Sequence, residues 1–350
     1  MKTANRKVFL LVSILLCTVF CGCKKSQQKI TEKKIVPVNN KKITIGFSID
    51  TLAIERWQRD LDIFINTAKE LGADVIVQNA GSSIDEQNRQ LLYLMDKNVD
   101  AIVLLPKDAD CFTETIQKIR SKNIPVISYD RLTLNADISL YLTIDSEKVG
   151  ENMGKGLLKV TQGRNWNLIL GPKEDYNMTL IKEGIGKTIR NTGVNLSHVF
   201  YTDDWNYDLS YQEMVRIISK GDLPDAIVCG NDAVAASVIQ ALTRYLPEQH
   251  IPICGQDADI AACQYIVQGK QDFTVYKPIA RLAELAAEYA VYLAKGENIY
   301  EKGMNIQTIN NGSGDIPAIW LEPILVDKGN LDDVIISSGF HTASSVYGTK

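Results

Sequence analysis

An α/β fold of two doubly wound parallel-sheet lobes is what the sequence predicts, on three observations. From residue 43 onward, short β-branched runs alternate with amphipathic helical segments, the pattern of strand–helix–strand units around a parallel sheet. One run, Ala101–Leu105, is continuously apolar, as a strand covered on both faces must be. The alternation then starts again near residue 146, in a chain whose 350 residues suit two domains better than one.

Ile43–Ile49 reads as the first strand. In the segment Arg56–Leu71, the apolar residues Leu61, Phe64, Ile65, Ala68 and Leu71 fall on one helical face, and Gly72 ends it. Val75–Val77 is the second strand. Ser83 and Glu86 have capping-box spacing and open a helix to about Lys97. After the Ala101–Leu105 strand come a helix over about Asp110–Lys122 and a strand over Ile124–Tyr129. The second half offers a helix over Ser146–Val160 and strands near Trp166–Leu170, Val199–Tyr201, Ala226–Cys229, Ile251–Gln256 and Phe273–Tyr276. Helices are predicted between them, over about Met178–Asn191, Leu209–Lys220, Asp232–Leu246 and Asp259–Gly269, and a strongly apolar one follows over Ile279–Lys295.

The N-terminus is of another kind. Lys2, Arg6 and Lys7 precede the thirteen-residue apolar run Val8–Phe20. A spanning helix needs about 20 residues, so the run suits the core of an export signal. Gly22-Cys23 after it has the form of a bacterial lipobox, with Cys23 the lipidated residue, although Phe20 stands where Leu is usual. The expectation is a signal peptide over residues 1–23, a polar tether over 24–41, and an exported lipoprotein facing the periplasm or cell exterior. An ordinary secretory signal or an uncleaved anchor is the alternative.

Several function classes are excluded. A net charge of −4 leaves no basic field for nucleic acid. Cys111, Cys229, Cys254 and Cys263 form no CxxC or Cys/His pattern, and His198, His250 and His341 are isolated, so no metal or cofactor is expected. Cys229 and Cys254 lie in apolar strand-like runs, where a thiol is a small buried hydrophobe. No nucleophile elbow or P-loop occurs, and the spacing of Gly150, Gly154 and Gly156 is not a dinucleotide fingerprint. Paired carboxylates can hydrolyse glycosides, but recognition alone explains the carboxylates here, so the chain is not expected to be an enzyme.

Ligands of open α/β sheets bind beyond the carboxyl ends of the strands. Two lobes that face each other make those ends a cleft. The residues there are Asp50, then Arg56 and Trp57, then Asp130 and Arg131. The second half adds Asp175 and Asn177, Trp205, Asn231 and Asp232, Asp257, and Lys277. Asp, Asn and Arg grip adjacent hydroxyls with paired hydrogen bonds, and a flat C–H face lies well on an indole. The set suits a sugar. Taken singly, each residue has a plainer use: Asp145, Asn231 and Asp232 as helix N-caps, Asp50 as a cap of the first loop, Lys277 as a solvated charge, and the two tryptophans as core.

At these residues the chain resembles the periplasmic sugar-binding proteins of ABC transporters. The stretches that carry the likeness are Glu55–Asp60, Tyr129–Arg131, Asn231–Ala233, Gly255–Asp259, Thr274–Pro278, Asn310–Gly312 with Ile316-Pro317, and Ser338–His341. The resemblance spans about residues 42–341. It implies D-xylose as the ligand, with another pentose or hexose as the alternative. Arg56, Asp130 and Arg131 would bind from the N-terminal lobe. Asp175, Asn177, Asn231, Asp257 and Lys277 would bind from the second lobe and hinge, and Trp57 and Trp205 would flank the ring. It also implies a periplasmic-binding-protein type I arrangement with a three-segment hinge. One lobe would hold residues 42–145 plus 277–321, the other 146–276 plus 322–342. The implied partners are the sugar and an ABC permease, for a monomeric protein. A sugar-sensing lipoprotein docking on a membrane sensor kinase would use the same cleft. A sugar-responsive repressor would need a DNA-binding segment where residues 1–42 carry an export signal.

Overall fold

The computed structural model describes residues 42–348; the expected signal peptide, Cys23 and the tether lie outside the described residues. Two sheets organise the chain. The first takes β1 (Thr44–Ile49), β2 (Asp74–Asn79), β3 (Ala101–Leu105), β4 (Val126–Tyr129), β5 (Leu140–Ile144), β11 (Gln307–Asn310) and β12 (Asp315–Leu321), in the order β11-β12-β5-β4-β3-β1-β2. The second takes β6 (Asn165–Leu170), β7 (Asn195–Tyr201), β8 (Ala226–Cys229), β9 (Ile253–Gln256), β10 (Phe273–Tyr276) and β13 (Ile324–Asp327), in the order β13-β10-β9-β8-β6-β7. All pairs are parallel except β11 with β12 and β10 with β13.

The helices are α1 (Glu55–Glu70), α2 (Ile84–Asp96), α3 (Thr113–Arg120), α4 (Ser146–Val160), α5 (Tyr176–Ile189), α6 (Tyr207–Lys220), α7 (Asp232–Tyr245), α8 (Ile260–Gln268), α9 (Ile279–Ala294) and the short α10 (Ala343–Tyr347). Ser83 caps α2 by accepting from the Glu86 amide at 3.3 Å. α3 is shorter than its predicted span, because Asp108 turns the chain first: its Oδ1 accepts from the Asp110 amide at 2.7 Å.

Four strands escape a reading by alternation. No helix separates β4 from β5, and β11, β12 and β13 enter the sheets at antiparallel pairs. A scheme that looks for strand–helix–strand units has no slot for them.

Each core is built where the pattern placed it. Phe47 of β1 meets Phe64 of α1 edge-on at 4.7 Å and Tyr129 of β4 at 5.8 Å. Helix α9 follows β10 of the second sheet but packs on α1 and on β3, β4 and β5 of the first. It is apolar nearly all round, with Leu282, Leu285, Tyr289 and Val291 buried. Of the Gly150/Gly154/Gly156 run, Gly150 finds its use together with Gly184. A Cβ on Gly150 would sit 2.0 Å from the Ile181 carbonyl oxygen, and one on Gly184 would sit 1.9 Å from that of Glu147. These glycines let α4 and α5 touch backbone to backbone.

The chain passes between the sheets three times: after β5, after β10 and after β12. The first and third passages are tied together. The Asp145 amide donates to the Leu321 carbonyl at 2.9 Å, Asn152 donates to the Pro323 carbonyl at 3.3 Å, and Lys148 pairs with Glu322. Parallel strands in both sheets end at one cavity between them.

Candidate functional site

The ten residues to which the resemblance gave ligand contacts all line that cavity. They are Arg56, Trp57, Asp130, Arg131, Asp175, Asn177, Trp205, Asn231, Asp257 and Lys277. Ile54, Met178 and Gln256 complete the wall. Gln256 ends β9 beside Asp257 and was legible as a strand-end polar group. Ile54 and Met178 are apolar and look like any core residue in sequence. With the wall side chains bonded to one another, the free space left at its centre is small, about 20 Å³. A wider hollow on the second lobe, lined by Tyr211, Gln240, Arg244 and Tyr265, gathers no buried unpartnered polar atom among the described residues.

Local structure explains the positions. Arg56 and Trp57 occupy the first turn of α1, directly beyond β1. Asp130 and Arg131 leave the end of β4, with Asp130 at φ 60°. Asp175 caps α5 by accepting from the Asn177 amide at 3.1 Å, and Asn231 caps α7 by accepting from the Val234 amide at 2.9 Å. The cap reading of Asn231 and its place in the cavity are therefore compatible, and Asp175 combines the same two roles. Asp232 does neither. It is turned into the second lobe, where it accepts from Gln271 and Thr274, each at 2.8 Å, and from the Asp259 amide at 3.1 Å. Asp145 does cap α4, accepting from the Lys148 amide at 3.0 Å. Trp205 is carried by a turn in which Asp204 and Trp205 both have positive φ, 50° and 56°. Its ring lies on Gly171, where a Cβ would fall 2.4 Å from the indole. Lys277 follows β10 and precedes Pro278.

The cavity groups bond to one another across the two lobes. Arg56 donates to Asp130 on its own lobe and comes within 3.8 Å of Asp257 on the other. Arg131 donates to Asp50 at 2.8 Å and to the Pro106 carbonyl at 3.1 Å, and its Nε lies 2.8 Å from Asp175. Asn177 donates to Asp130 at 2.8 Å, and the Lys277 ammonium lies 2.6 Å from Asp257. Asp50 therefore acts behind the wall, as the anchor of Arg131. At the rim, Lys107 pairs with Asp204 from one lobe to the other. The arginines also stack on Trp57, with guanidinium carbons 4.4 Å and 5.6 Å from the ring centre.

Charge and burial set the ionisation. Burial alone would raise the Asp130 carboxyl, but Arg56, Lys277 and Arg131 outweigh it and hold it below the usual range. Burial lifts Asp175, and Arg131 offsets only part of that. Burial would lower both arginines, yet Asp130, Asp60 and Asp257 raise Arg56 above its usual value, and Asp175 and Asp50 raise Arg131. The wall carries Arg56, Arg131 and Lys277 against Asp130, Asp175 and Asp257, so its formal charges cancel.

Several polar atoms of this wall are buried without a hydrogen-bond partner. Trp57 Nε1, Trp205 Nε1 and Arg131 Nη2 are donors; Asn177 Oδ1 and Gln256 Oε1 are acceptors. Each such atom costs about 1–3 kcal/mol if left unmet, and native proteins leave few. Donors and acceptors interspersed around a neutral, partly aromatic cavity fit an uncharged polyhydroxyl ring. Elsewhere, Cys229, Cys254 and Cys263 are buried and free, and Cys111 is exposed and free. His198 meets Glu213, His250 meets Asp272 and His341 meets the Ala258 carbonyl.

Comparison with known proteins agrees with this architecture. Residues 45–298 match the model of the periplasmic binding protein domain. The D-xylose-binding periplasmic protein of Haemophilus influenzae is 38% identical over 314 residues, covering 88% of this chain and 93% of that protein. The Escherichia coli protein of the same name is 35% identical over 316 residues, covering 89% and 94%. Among solved structures, an ABC transporter solute-binding protein of Clostridium phytofermentans with bound β-D-glucose superposes with a TM-score of 0.78 at 25% identity, covering 87% of this chain and 99% of that one.

Proposed function

The chain belongs to the periplasmic binding protein family, and from that premise we propose that it closes around one molecule of D-xylose and delivers it to an ABC permease. The observation that carries the reading is the cavity wall. Its charges cancel, several of its buried donors and acceptors lack partners, and two indoles face the enclosed space. A sugar phosphate or a uronate would bring a charge that nothing there offsets. The identity of the sugar is supported by the names of two relatives, at 38% and 35% identity.

In this reading Arg56, Asp130 and Arg131 bind hydroxyls from the first lobe, and Asp175, Asn177, Asn231, Asp257 and Lys277 bind from the other side. Trp57 and Trp205 cover the C–H faces. The side chains do no covalent chemistry: each wall carboxylate is engaged by a cation, and among the described residues no Ser, Cys or His lines the cavity. Charged hydrogen bonds contribute about 1.5–3 kcal/mol each, so a few support micromolar binding or tighter. Cys23 carries the lipid that holds the protein at the membrane.

Titration calorimetry over xylose, ribose, arabinose, glucose and galactose tests this directly. Xylose is expected to bind most tightly. Tighter binding of another sugar would displace the xylose assignment, and silence across the panel would sink the sugar reading.

A further inference from the structure

We propose that Asp60 is a positioning residue for sugar binding: from behind the cavity wall, it fixes the orientation in which Arg56 meets the ligand. This rests on the sugar-binding reading above. Asp60 is 1% exposed and does not line the cavity. It lies one turn beyond Arg56 on α1, on the same helical face. Its Oδ2 lies 3.5 Å from Arg56 Nε and accepts from the Tyr129 hydroxyl at 2.6 Å. The other nitrogens of that guanidinium face Asp130 and, across the cleft, Asp257. Carboxylates thus flank the planar group on three sides, Asp130 by a hydrogen bond and Asp60 and Asp257 by charge.

Two of those holds stay with Arg56 whatever the lobes do. Asp60 shares its helix, and Asp130 follows a strand of the same sheet. Only Asp257 belongs to the second lobe. Asp60 and Asp130 therefore keep the guanidinium in place before a sugar arrives, and a group ordered in advance loses less freedom on binding. Because Arg56 also stacks on Trp57, the same anchor sets the floor beneath the ring.

Stability alone gives no reason for a carboxylate here. Burial pushes Asp60 up to about 6, with Arg56 and the Tyr129 hydroxyl offsetting part of the rise. At neutral pH it is an ionised group in a dry place, and such groups are often replaced by apolar ones at no loss of stability.

The test is a double-mutant cycle on the full-length protein, with D-xylose as the probe. Asp60→Asn keeps the shape and removes the charge. It is expected to weaken xylose binding on the order of tenfold while thermal stability at neutral pH holds or rises. Arg56→Lys weakens binding by itself, and adding Asp60→Asn to it is expected to change the affinity by less than about twofold. Should Asp60→Asn not fold, Tyr129→Phe enters the cycle in its place, with the same expected loss of effect once Arg56 is changed. Wild-type affinity in the Asp60 variant, or effects that multiply in full, would overturn the positioning role alone. A wild type that binds no sugar of the panel removes the reading beneath it and the proposal with it.

Discussion

At the scale of single residues, the cavity is a set of strand-end side chains that satisfy one another until a ligand takes their place. Asp257 shows what this implies. It meets Lys277 at 2.6 Å and approaches Arg56 at 3.8 Å. Asp257→Ala is expected to cost about 1.5–3 kcal/mol of binding, or about one to two decades in affinity, by calorimetry. An unchanged affinity would remove Asp257 from the site. Asp60 predicts a pH effect on stability. Its folded pKa, about 6, lies above the ordinary value of 3.8, chiefly through burial, with the like charge of Asp130 adding to the rise and Arg56, the Tyr129 hydroxyl and Lys277 opposing it. The folded state then holds a proton that the unfolded state has released. The stabilisation is complete below the unfolded pKa, up to about 3 kcal/mol, and is lost as pH rises through about 6. Measured by urea unfolding, wild type should lose stability relative to Asp60→Asn between pH 4.5 and 7.5; a constant difference would contradict it. The ten wall residues were legible because a parallel sheet directs its carboxyl ends to one side, so polar groups there stand out against Gly- and Ser-rich turns. Ile54 and Met178 were not, since an apolar side chain facing a ligand and one facing the core look alike in sequence.

At the scale of elements, periodicity found the strands that alternate with helices and missed those that do not. β5 is wholly buried and mostly apolar but follows β4 without a helix, and β11, β12 and β13 join at antiparallel pairs. The contact between α4 and α5 makes a separate prediction. Gly150→Ala would place a methyl 2.0 Å from a backbone oxygen, where no side chain can yield. Overpacking of this kind costs about 1–3 kcal/mol or more. The midpoint of chemical unfolding should fall, while Gly186→Ala, which meets nothing within 4 Å, should leave it in place or raise it. Equal behaviour of the two variants would argue against close helix contact.

At the scale of the whole molecule, bonds such as Asp130 with Asn177 and Lys107 with Asp204 join the lobes directly. A closed form is therefore reachable by the protein itself, and a sugar shifts the balance only by its preference for that form. Small-angle scattering should show compaction when xylose is added; binding without any compaction would contradict lobe closure. Lys107→Ala removes a rim ion pair worth less than about 1 kcal/mol and should speed sugar release modestly without reordering the sugar panel. A changed order would mean that Lys107 reaches the ligand. The passage of α9 and β12 back to the first sheet was not visible in periodicity and came only through resemblance. It has a consequence for the order in which the molecule can be made. A ribosome delivers residues 42–144 first, yet that half lacks α9 and β12 until residue 321 has been added. The second half, by contrast, has every strand but β13 once residue 276 is made. A fragment ending at residue 276 should accordingly protect amides of the second sheet from exchange and leave those of the first open. The half that is begun first waits until residue 321 for its last strand, and the growing chain carries an unfinished domain for most of its synthesis.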